Sequence, residues 1–128
     1  MKVASLVGTR PQFLKLSPLC DYVNAAESKI GHVVIHSGQH YDASMSNDIF
    51  SQLDITTPIK TIERLSGSNS MNFGHMMAEV GNTINEHGVD RLIVFGDCDT
   101  TLAGAMAARR LNVPVVHVEA GMRSFNRR

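Results

Sequence analysis

The 128-residue sequence predicts an α/β protein built on a doubly wound parallel sheet with helices on both faces. Short apolar segments typical of strands alternate along the chain with longer segments in which apolar residues recur every three or four positions, as on one face of a helix. The strand candidates are separated by crossover-length connections, which parallel strands require. We expect five strands, with the first strand of the chain at the centre of the sheet.

The N-terminal segment predicts a strand followed by a helix. Residues 2–7 are the strand candidate, and Gly8 ends it. Thr9 is a candidate N-cap, and Pro11 suits the early turn of the helix that follows. Pro18 lies inside this helix, so we expect a kink or local unwinding there. The apolar residues of the predicted buried face are Phe13, Leu16, Leu19, Cys20 and Val23.

The middle of the chain predicts two more strands and two helices. The strands are expected at 32–36 and, more weakly, at 58–62, with a short helical piece at 45–53 between them. Residues 71–87 have the spacing of an amphipathic helix, and Gly88 is suited to end it in a left-handed conformation.

The last third predicts two strands around a helix of small residues. The apolar run 91–95 is typical of a strand covered on both faces. The Ala- and Gly-rich helix after it ends near Leu111, and its small side chains allow a close approach to the sheet. We interpret the final strand candidate, 113–118, as short and buried.

Composition and charge exclude several classes of protein. Twelve basic residues balance twelve acidic ones, so no net field attracts nucleic acid or an anionic membrane. No apolar run reaches the length of a membrane span, and the N-terminal run is too short for a signal peptide. Two cysteines are too few for a disulfide scaffold or a zinc site. We therefore expect a cytoplasmic protein with no metal and no cofactor.

Polar loops follow four of the predicted strands. Because the carboxyl ends of parallel strands meet at one edge of the sheet, ligands bind in the crevice there. The loops are 8–15, 37–40, 96–101 and 119–123, and we expect all four to line that crevice.

Arg10 and Lys15 flank a predicted helix N-terminus, where unpaired backbone N–H groups and the helix dipole favour an anion. They are candidates to bind a phosphate, the alternative being two solvated side chains with no ligand. No Gly-x-Gly-x-x-Gly or Walker motif is present, so neither dinucleotide binding nor nucleoside triphosphate hydrolysis is indicated.

Asp97 and Glu119 lie just past the ends of two strands that we expect to be neighbours. Two carboxylates in one cleft suit paired acid and base roles. The alternative is that Asp97 caps the following helix and Glu119 pairs with Arg123. Cys98 is interpreted as a packing residue.

Together these motifs resemble the N-terminal part of the non-hydrolysing UDP-N-acetylglucosamine 2-epimerases. The resemblance rests on 8–15 with Pro18, on 37–40, on 96–104 and on 117–128, in that order along the whole chain. Gln12 stands where the family usually has glutamate.

The resemblance implies a fold of the glycosyltransferase-B type, in which the nucleotide sugar binds between two Rossmann-like domains. Residues 1–128 would be the N-terminal domain, and a further acidic motif and a second, UDP-binding domain are expected beyond Arg128. The implied reaction interconverts UDP-GlcNAc and UDP-ManNAc by elimination and re-addition of UDP. The chain alone is expected to be inactive, and a homodimer is implied.

The resemblance also implies residue roles. Arg10 and Lys15 would contact the substrate and its phosphates, while Asp97 and Glu119 would share the acid–base and sugar-binding roles in an order left open. The alternatives are a non-catalytic nucleotide-sugar-binding module, a subunit completed by a partner chain, or a glycosyltransferase of the same fold.

Three further residues are assigned a secondary role. Gln39 and His40 match a stretch that binds a second UDP-GlcNAc as an activator in bacterial members of the family. Arg123 is expected to support the same site or the substrate site. Apart from the resemblance, a histidine placed like His40, in a loop after a strand, more often forms a structural hydrogen bond than acts as a base.

Overall fold

A computed structural model describes residues 1–25, 29–38, 50–123 and 125. Strands and helices alternate along the chain, which confirms the predicted α/β class. The elements are β1 (Lys2–Val7), α1 (Arg10–Ala25), β2 (Gly31–His36), β3 (Lys60–Thr61), α2 (Asn69–His87), β4 (Arg91–Phe95), α3 (Asp99–Arg110) and β5 (Val115–Val118).

The five strands form one sheet in the order β3-β2-β1-β4-β5. Every neighbouring pair is parallel, so the carboxyl ends of all five strands lie at the same edge. The first strand is central, as predicted, and the chain winds outward from it in both directions. This arrangement places the loops after β1 and β4 side by side in the middle of that edge.

Helices cover both faces of the sheet. On one face α1 buries Phe13, Leu16 and Cys20 against the sheet. On the other face α2 and α3 pack together on the sheet, and the small residues of α3 permit the close approach that the sequence predicts. A Cβ atom at Gly104 would lie 2.4 Å from the Leu6 side chain, so only glycine fits at this contact.

The predictions for α1 and β3 differ from the structure, and the predicted short helix is found in part. Helix α1 continues through Pro18 as one α-helix. Strand β3 is only two residues long. Of the predicted short helix 45–53, residues 50–52 are helical, and 45–49 lie outside the described residues.

Strand β5 is not buried, and that prediction is wrong. Val115 and Val116 are 37% and 45% exposed. The reason is position: β5 pairs with β4 on one side, and no described strand pairs with its other side. An apolar run therefore lies at the edge of the described sheet.

Candidate functional site

A cavity of about 700 Å³ lies at the carboxyl edge of the sheet. It forms where the loops after β1, β4 and β5 meet the first turns of α1 and α3. Its lining residues are Thr9, Pro11, Gln12, Lys15, Phe95, Gly96, Asp97, Cys98, Thr101, Leu102, Ala105, His117, Glu119, Ala120, Met122 and Arg123.

The described start of the loop 37–40 lies elsewhere. Ser37 and Gly38 line a separate cavity of about 220 Å³ between β2 and α2, together with Arg64. The expectation that all four loops share one crevice is thus confirmed for three of them. Gln39 and His40 lie outside the described residues.

Two helix N-termini face the large cavity. Helix α1 begins at Arg10 and α3 at Asp99, and residues on either side of both starts line the wall. The dipoles of both helices favour a bound anion. At α1 the dipole acts more than free N–H groups do, because Pro11 has no N–H and those of Gln12 and Phe13 donate to Thr9 O at 3.0 and 3.3 Å. Lys15 lines the cavity as well, whereas Arg10 is exposed and lies outside the lining. The predicted phosphate-binding pair is therefore divided between the wall and the surface.

Lys15 and Glu119 form an ion pair across the cavity. The Lys15 ammonium donates to the Glu119 carboxylate, and each side chain is 34% exposed. The alternative pairing of Glu119 with Arg123 is wrong, because the Arg123 guanidinium instead donates to the carbonyls of Ala120 and Met122 at 2.9 and 2.7 Å. The ion pair joins the first turns of α1 to the turn that follows β5.

Asp97 follows the end of β4 and Glu119 follows the end of β5, and both residues line the same cavity. The two strands are paired, with Phe95 opposite Val118, as the sequence predicts. Asp97 does not cap α3: the N-cap is Cys98, which makes no side-chain capping bond. No described residue forms a hydrogen bond or ion pair with the exposed Asp97 carboxylate, so this group is free to meet a ligand.

The turns that carry the two carboxylates are held by their backbones. Gly96 has a φ of 70°, and Glu119 adopts a φ of 65°, a left-handed conformation that is rare for a residue with a side chain. The Gly96 N–H donates to Val118 O at 3.0 Å. The His117 Nε2–H donates to Gly96 O at 2.5 Å, which requires that tautomer of the ring.

Sequence reasoning missed Gln12, which is only 4% exposed. Its Oε1 accepts hydrogen bonds from the backbone N–H groups of Gly8 and Thr9 at 2.8 and 3.1 Å. Its Nε2 donates to Phe95 O at 2.8 Å and to the Cys98 sulfur at 3.1 Å. A detectable signal existed, since a glutamine three residues after a threonine N-cap is typical of a capping box.

Cys98 is also more than a packing residue. It lines the large cavity at the N-terminus of α3, half-buried, and its sulfur accepts the Gln12 hydrogen bond. In the described part of the chain, no cluster of three or more histidine, cysteine or acidic side chains is arranged to hold a metal. No described helix is long and apolar enough to cross a membrane.

Five described groups with shifted pKa values lie outside the large cavity, and burial raises the pKa of one of them, the Cys20 thiol. Burial lowers the pKa values of His32 and His36, because a charged ring is poorly solvated in the core. The Nε2 atom of His36 has no hydrogen-bond partner among the described residues. The hydrogen bond between Lys60 and Glu79 lowers the pKa of Glu79 and raises that of Lys60.

Comparison with known proteins assigns the family. A family model described as UDP-N-acetylglucosamine 2-epimerase matches residues 24–128. A UDP-2,3-diacetamido-2,3-dideoxy-D-glucuronate 2-epimerase of Pseudomonas aeruginosa is 39% identical over the whole chain, which covers 36% of that protein. A UDP-N-acetylglucosamine 2-epimerase of Methanocaldococcus jannaschii is 38% identical over 99% of the chain and 34% of its own length.

Solved structures of UDP-GlcNAc 2-epimerases also match this chain. The M. jannaschii UDP-GlcNAc 2-epimerase in complex with UDP-GlcNAc and UDP matches with a TM-score of 0.89 at 36% identity, over 99% of this chain and 34% of that one. The Neisseria meningitidis enzyme bound to UDP-GlcNAc matches with a TM-score of 0.87 at 27% identity, over 98% and 33%. The chain thus spans about a third of the length of these relatives. It belongs to the UDP-N-acetylglucosamine 2-epimerase family, and its Rossmann-like fold is that of glycosyltransferase-B type proteins.

Proposed function

We propose that this member of the UDP-N-acetylglucosamine 2-epimerase family supplies one wall of an active site that interconverts UDP-GlcNAc and UDP-ManNAc. The observation that carries the proposal is the composition of the 700 Å³ cavity. It combines two helix N-termini, the Lys15–Glu119 ion pair and an Asp97 carboxylate that has no partner among the described residues. Such a set of groups suits a substrate with an anionic leaving group and a proton to be exchanged.

The anionic end of the cavity would serve the departure of UDP. As the bond from sugar C1 to the diphosphate breaks, negative charge grows on the phosphate oxygens. The N-termini of α1 and α3 and the Lys15 ammonium are placed to stabilise that charge. Arg10, the first residue of α1, adds a positive charge at the surface beside this end.

The carboxylates would exchange the C2 proton. This proton is not acidified by an adjacent carbonyl, so its removal must be coupled to the loss of UDP. Elimination leaves a 2-acetamidoglucal, and inversion requires that a proton return to the opposite face of C2 as UDP adds back. Asp97 and Glu119, from neighbouring strands, provide two groups for this exchange.

The rest of the active site would come from a second domain. Because the chain spans about a third of its relatives, residues 1–128 are proposed to be an incomplete N-terminal domain that needs a UDP-binding partner domain. We also propose that the whole protein is a homodimer. The isolated chain should therefore bind UDP through its phosphates but not turn over UDP-GlcNAc.

The proposal is tested with a chimera in which residues 1–123 replace the matching part of the M. jannaschii relative. We expect this protein to form UDP-ManNAc from UDP-GlcNAc, and Asp97→Asn or Glu119→Gln to abolish the reaction. Glu86→Gln, which changes an exposed carboxylate on α2, is the matched control and should be active. A folded chimera that is inactive, or that keeps full activity in both cavity variants, contradicts the proposal.

A second substrate is favoured by one observation. The P. aeruginosa relative is named for UDP-2,3-diacetamido-2,3-dideoxy-D-glucuronate. The same assay run with that nucleotide sugar distinguishes the two substrates by their kcat/KM values. A non-catalytic binding module would bind UDP with no turnover of either sugar in the chimera, and a glycosyltransferase would transfer the sugar to an acceptor.

A further inference from the structure

We infer that His117 is a positioning residue for the proposed reaction, because its imidazole holds the peptide group from which Asp97 projects. The kinetic part of this inference rests on the proposed function, whereas its structural part can be tested without any turnover. His117 lines the large cavity, but the proposed chemistry gives it no role. The role follows from the place at which its ring meets the neighbouring strand.

His117 lies beside the point at which β4 and β5 stop pairing. It is opposite Val94, and the next pair, Phe95 with Val118, is the last in the register of the two strands. The Gly96 N–H then donates to Val118 O at 3.0 Å, and the His117 Nε2–H donates to Gly96 O at 2.5 Å. A side chain of β5 thus extends the connection between the strands by one residue past their last pair.

The hydrogen bond acts directly on the backbone of Asp97. Gly96 O and the Asp97 N–H belong to one planar peptide group, so a donor that fixes the oxygen also fixes the direction in which the chain enters Asp97. No described residue holds the exposed Asp97 carboxylate, so the backbone sets its position. The donor belongs to β5, and Glu119 follows that strand at once. The bond therefore also limits the movement of the two carboxylate-bearing turns relative to each other.

A direct role of the ring in proton transfer is the competing explanation, since His117 lines the same cavity as the two carboxylates. The two roles need different chemistry at this position. Proton transfer needs a ring that takes up and releases a proton. Positioning needs only an N–H group at the place of Nε2, which both the cationic ring and the neutral ring protonated there supply.

Two amide side chains separate these roles. Glutamine carries its NH2 group about as far from the backbone as histidine carries Nε2, whereas asparagine is one methylene shorter and does not reach Gly96 O. Neither amide takes up or releases a proton near neutral pH. We therefore expect His117→Gln to keep the hydrogen bond and His117→Asn to lose it.

The matched control is His32→Asn. His32 is also a histidine on a strand, and its Nε2 shares a hydrogen bond of 2.8 Å with the Ser5 hydroxyl. It is half-buried on β2 and lies outside the large cavity. The same substitution there removes a comparable hydrogen bond without touching the proposed site.

The first readout is the backbone amide NMR spectrum of the 128-residue chain. Both His117 variants lack the ring, so a comparison between them cancels the loss of its ring current. The Asp97 signal, which reports on the peptide group of Gly96 O, should differ clearly between His117→Gln and His117→Asn. His32→Asn should leave it at its wild-type position. Coincident Asp97 signals in the two His117 variants overturn the structural part of the inference, whatever the protein's activity.

The second readout is kcat and KM for UDP-GlcNAc epimerisation in the chimera. A displacement of about 1 Å at a reacting group lowers the rate by up to about a hundredfold, so kcat in His117→Asn should fall at least about tenfold. In His117→Gln it should stay within about threefold of the wild-type value. KM should change less than about threefold in both variants, because the helix N-termini and Lys15 that bind the phosphates stay in place.

Equal losses of kcat in the two His117 variants overturn the inference, because they assign the ring itself to proton transfer. An effect carried by KM, an unchanged kcat in His117→Asn, or an equal loss in His32→Asn overturns it as well. If the wild-type chimera itself has no activity, the proposed function fails, while the NMR comparison still decides whether His117 holds the Asp97 peptide group.

Discussion

Substitution of Glu119 by glutamine is expected to strengthen UDP binding by the chain while it removes a carboxylate that the proposed reaction needs. In the structure Glu119 pairs with Lys15. A phosphate that enters the cavity competes for the same ammonium and is repelled by the same carboxylate. Glutamine at position 119 keeps the size of the side chain but removes both the competition and the repulsion.

The magnitude follows from the exposure of the pair. Both side chains are 34% exposed, so water screens the interaction and a buried-pair energy does not apply. Two unit charges about 5 Å apart, such as the Glu119 carboxylate and a bound phosphate, interact by about 0.8 kcal/mol in a water-like medium. Exposed pairs contribute about 0.2–1 kcal/mol, which corresponds to a gain in UDP affinity of roughly 1.4- to 5-fold.

Calorimetric titration of UDP into the 128-residue chain at low salt measures this gain. Lys15→Met should show the opposite change, a weaker affinity by a similar factor, and Glu86→Gln should show none. Both effects should shrink at 0.5 M salt, where the screening length falls to about 4 Å. Weaker UDP binding by Glu119→Gln would refute the reasoning, because it would mean that the carboxylate supports the phosphate site.

Two further predictions concern the fold. In urea titrations, Gly104→Ala should lower the free energy of unfolding by about 1–2 kcal/mol, because its Cβ would lie 2.4 Å from the fully buried Leu6. Gly81→Ala is the control. Its Cβ has 4.0 Å of room, so the substitution should raise the free energy of unfolding by about 0.5–1 kcal/mol. Burial lowers the pKa of His36, so its contribution to stability is complete above the unfolded-state pKa of about 6.5 and is lost as pH falls through and below that value. His36→Phe should flatten this acid loss without abolishing it, since the pKa of His32 is lowered too; an unchanged slope between pH 7 and pH 5 would contradict the assignment.

The central strands were predictable because local and long-range preferences agree there. In β4 an uninterrupted apolar run ends at Gly96, and helices do cover both faces of that strand. The same logic fails for β5. Its apolar residues indicate burial, but burial depends on what lies beside a strand, and β5 has a described neighbour on one side only.

The sequence predicted where the site lies better than it predicted which residues contact one another there. Placing Asp97 and Glu119 in one cleft needed only the rule that parallel strands end at the same edge. The Lys15–Glu119 ion pair joins residues 104 positions apart, and no local pattern distinguishes it from a pairing of Glu119 with Arg123. Gln12 was missed because only half of its role, the capping of α1, leaves a trace in the nearby sequence.

The conformation of Glu119 carries a last prediction, which separates the role of its side chain from that of its backbone. Its φ of 65° lies in the left-handed region, where a residue with a Cβ atom is strained and glycine is not. Glu119→Gly and Glu119→Ala both lose the Lys15 ion pair, so they differ in the backbone alone. The glycine variant should be more stable than the alanine variant by about 1 kcal/mol.

The sign of that difference is diagnostic, measured by urea denaturation of the two variants. At Glu63, which is exposed and has no positive φ, the same comparison should favour alanine, since glycine gains more freedom in the unfolded chain. Equal stability of the two variants at position 119 would show that the turn relaxes and stores no strain. If the glycine variant is the more stable one and epimerisation is lost in the chimera, then position 119 keeps a side chain although its backbone favours glycine. The proposed chemistry supplies the reason.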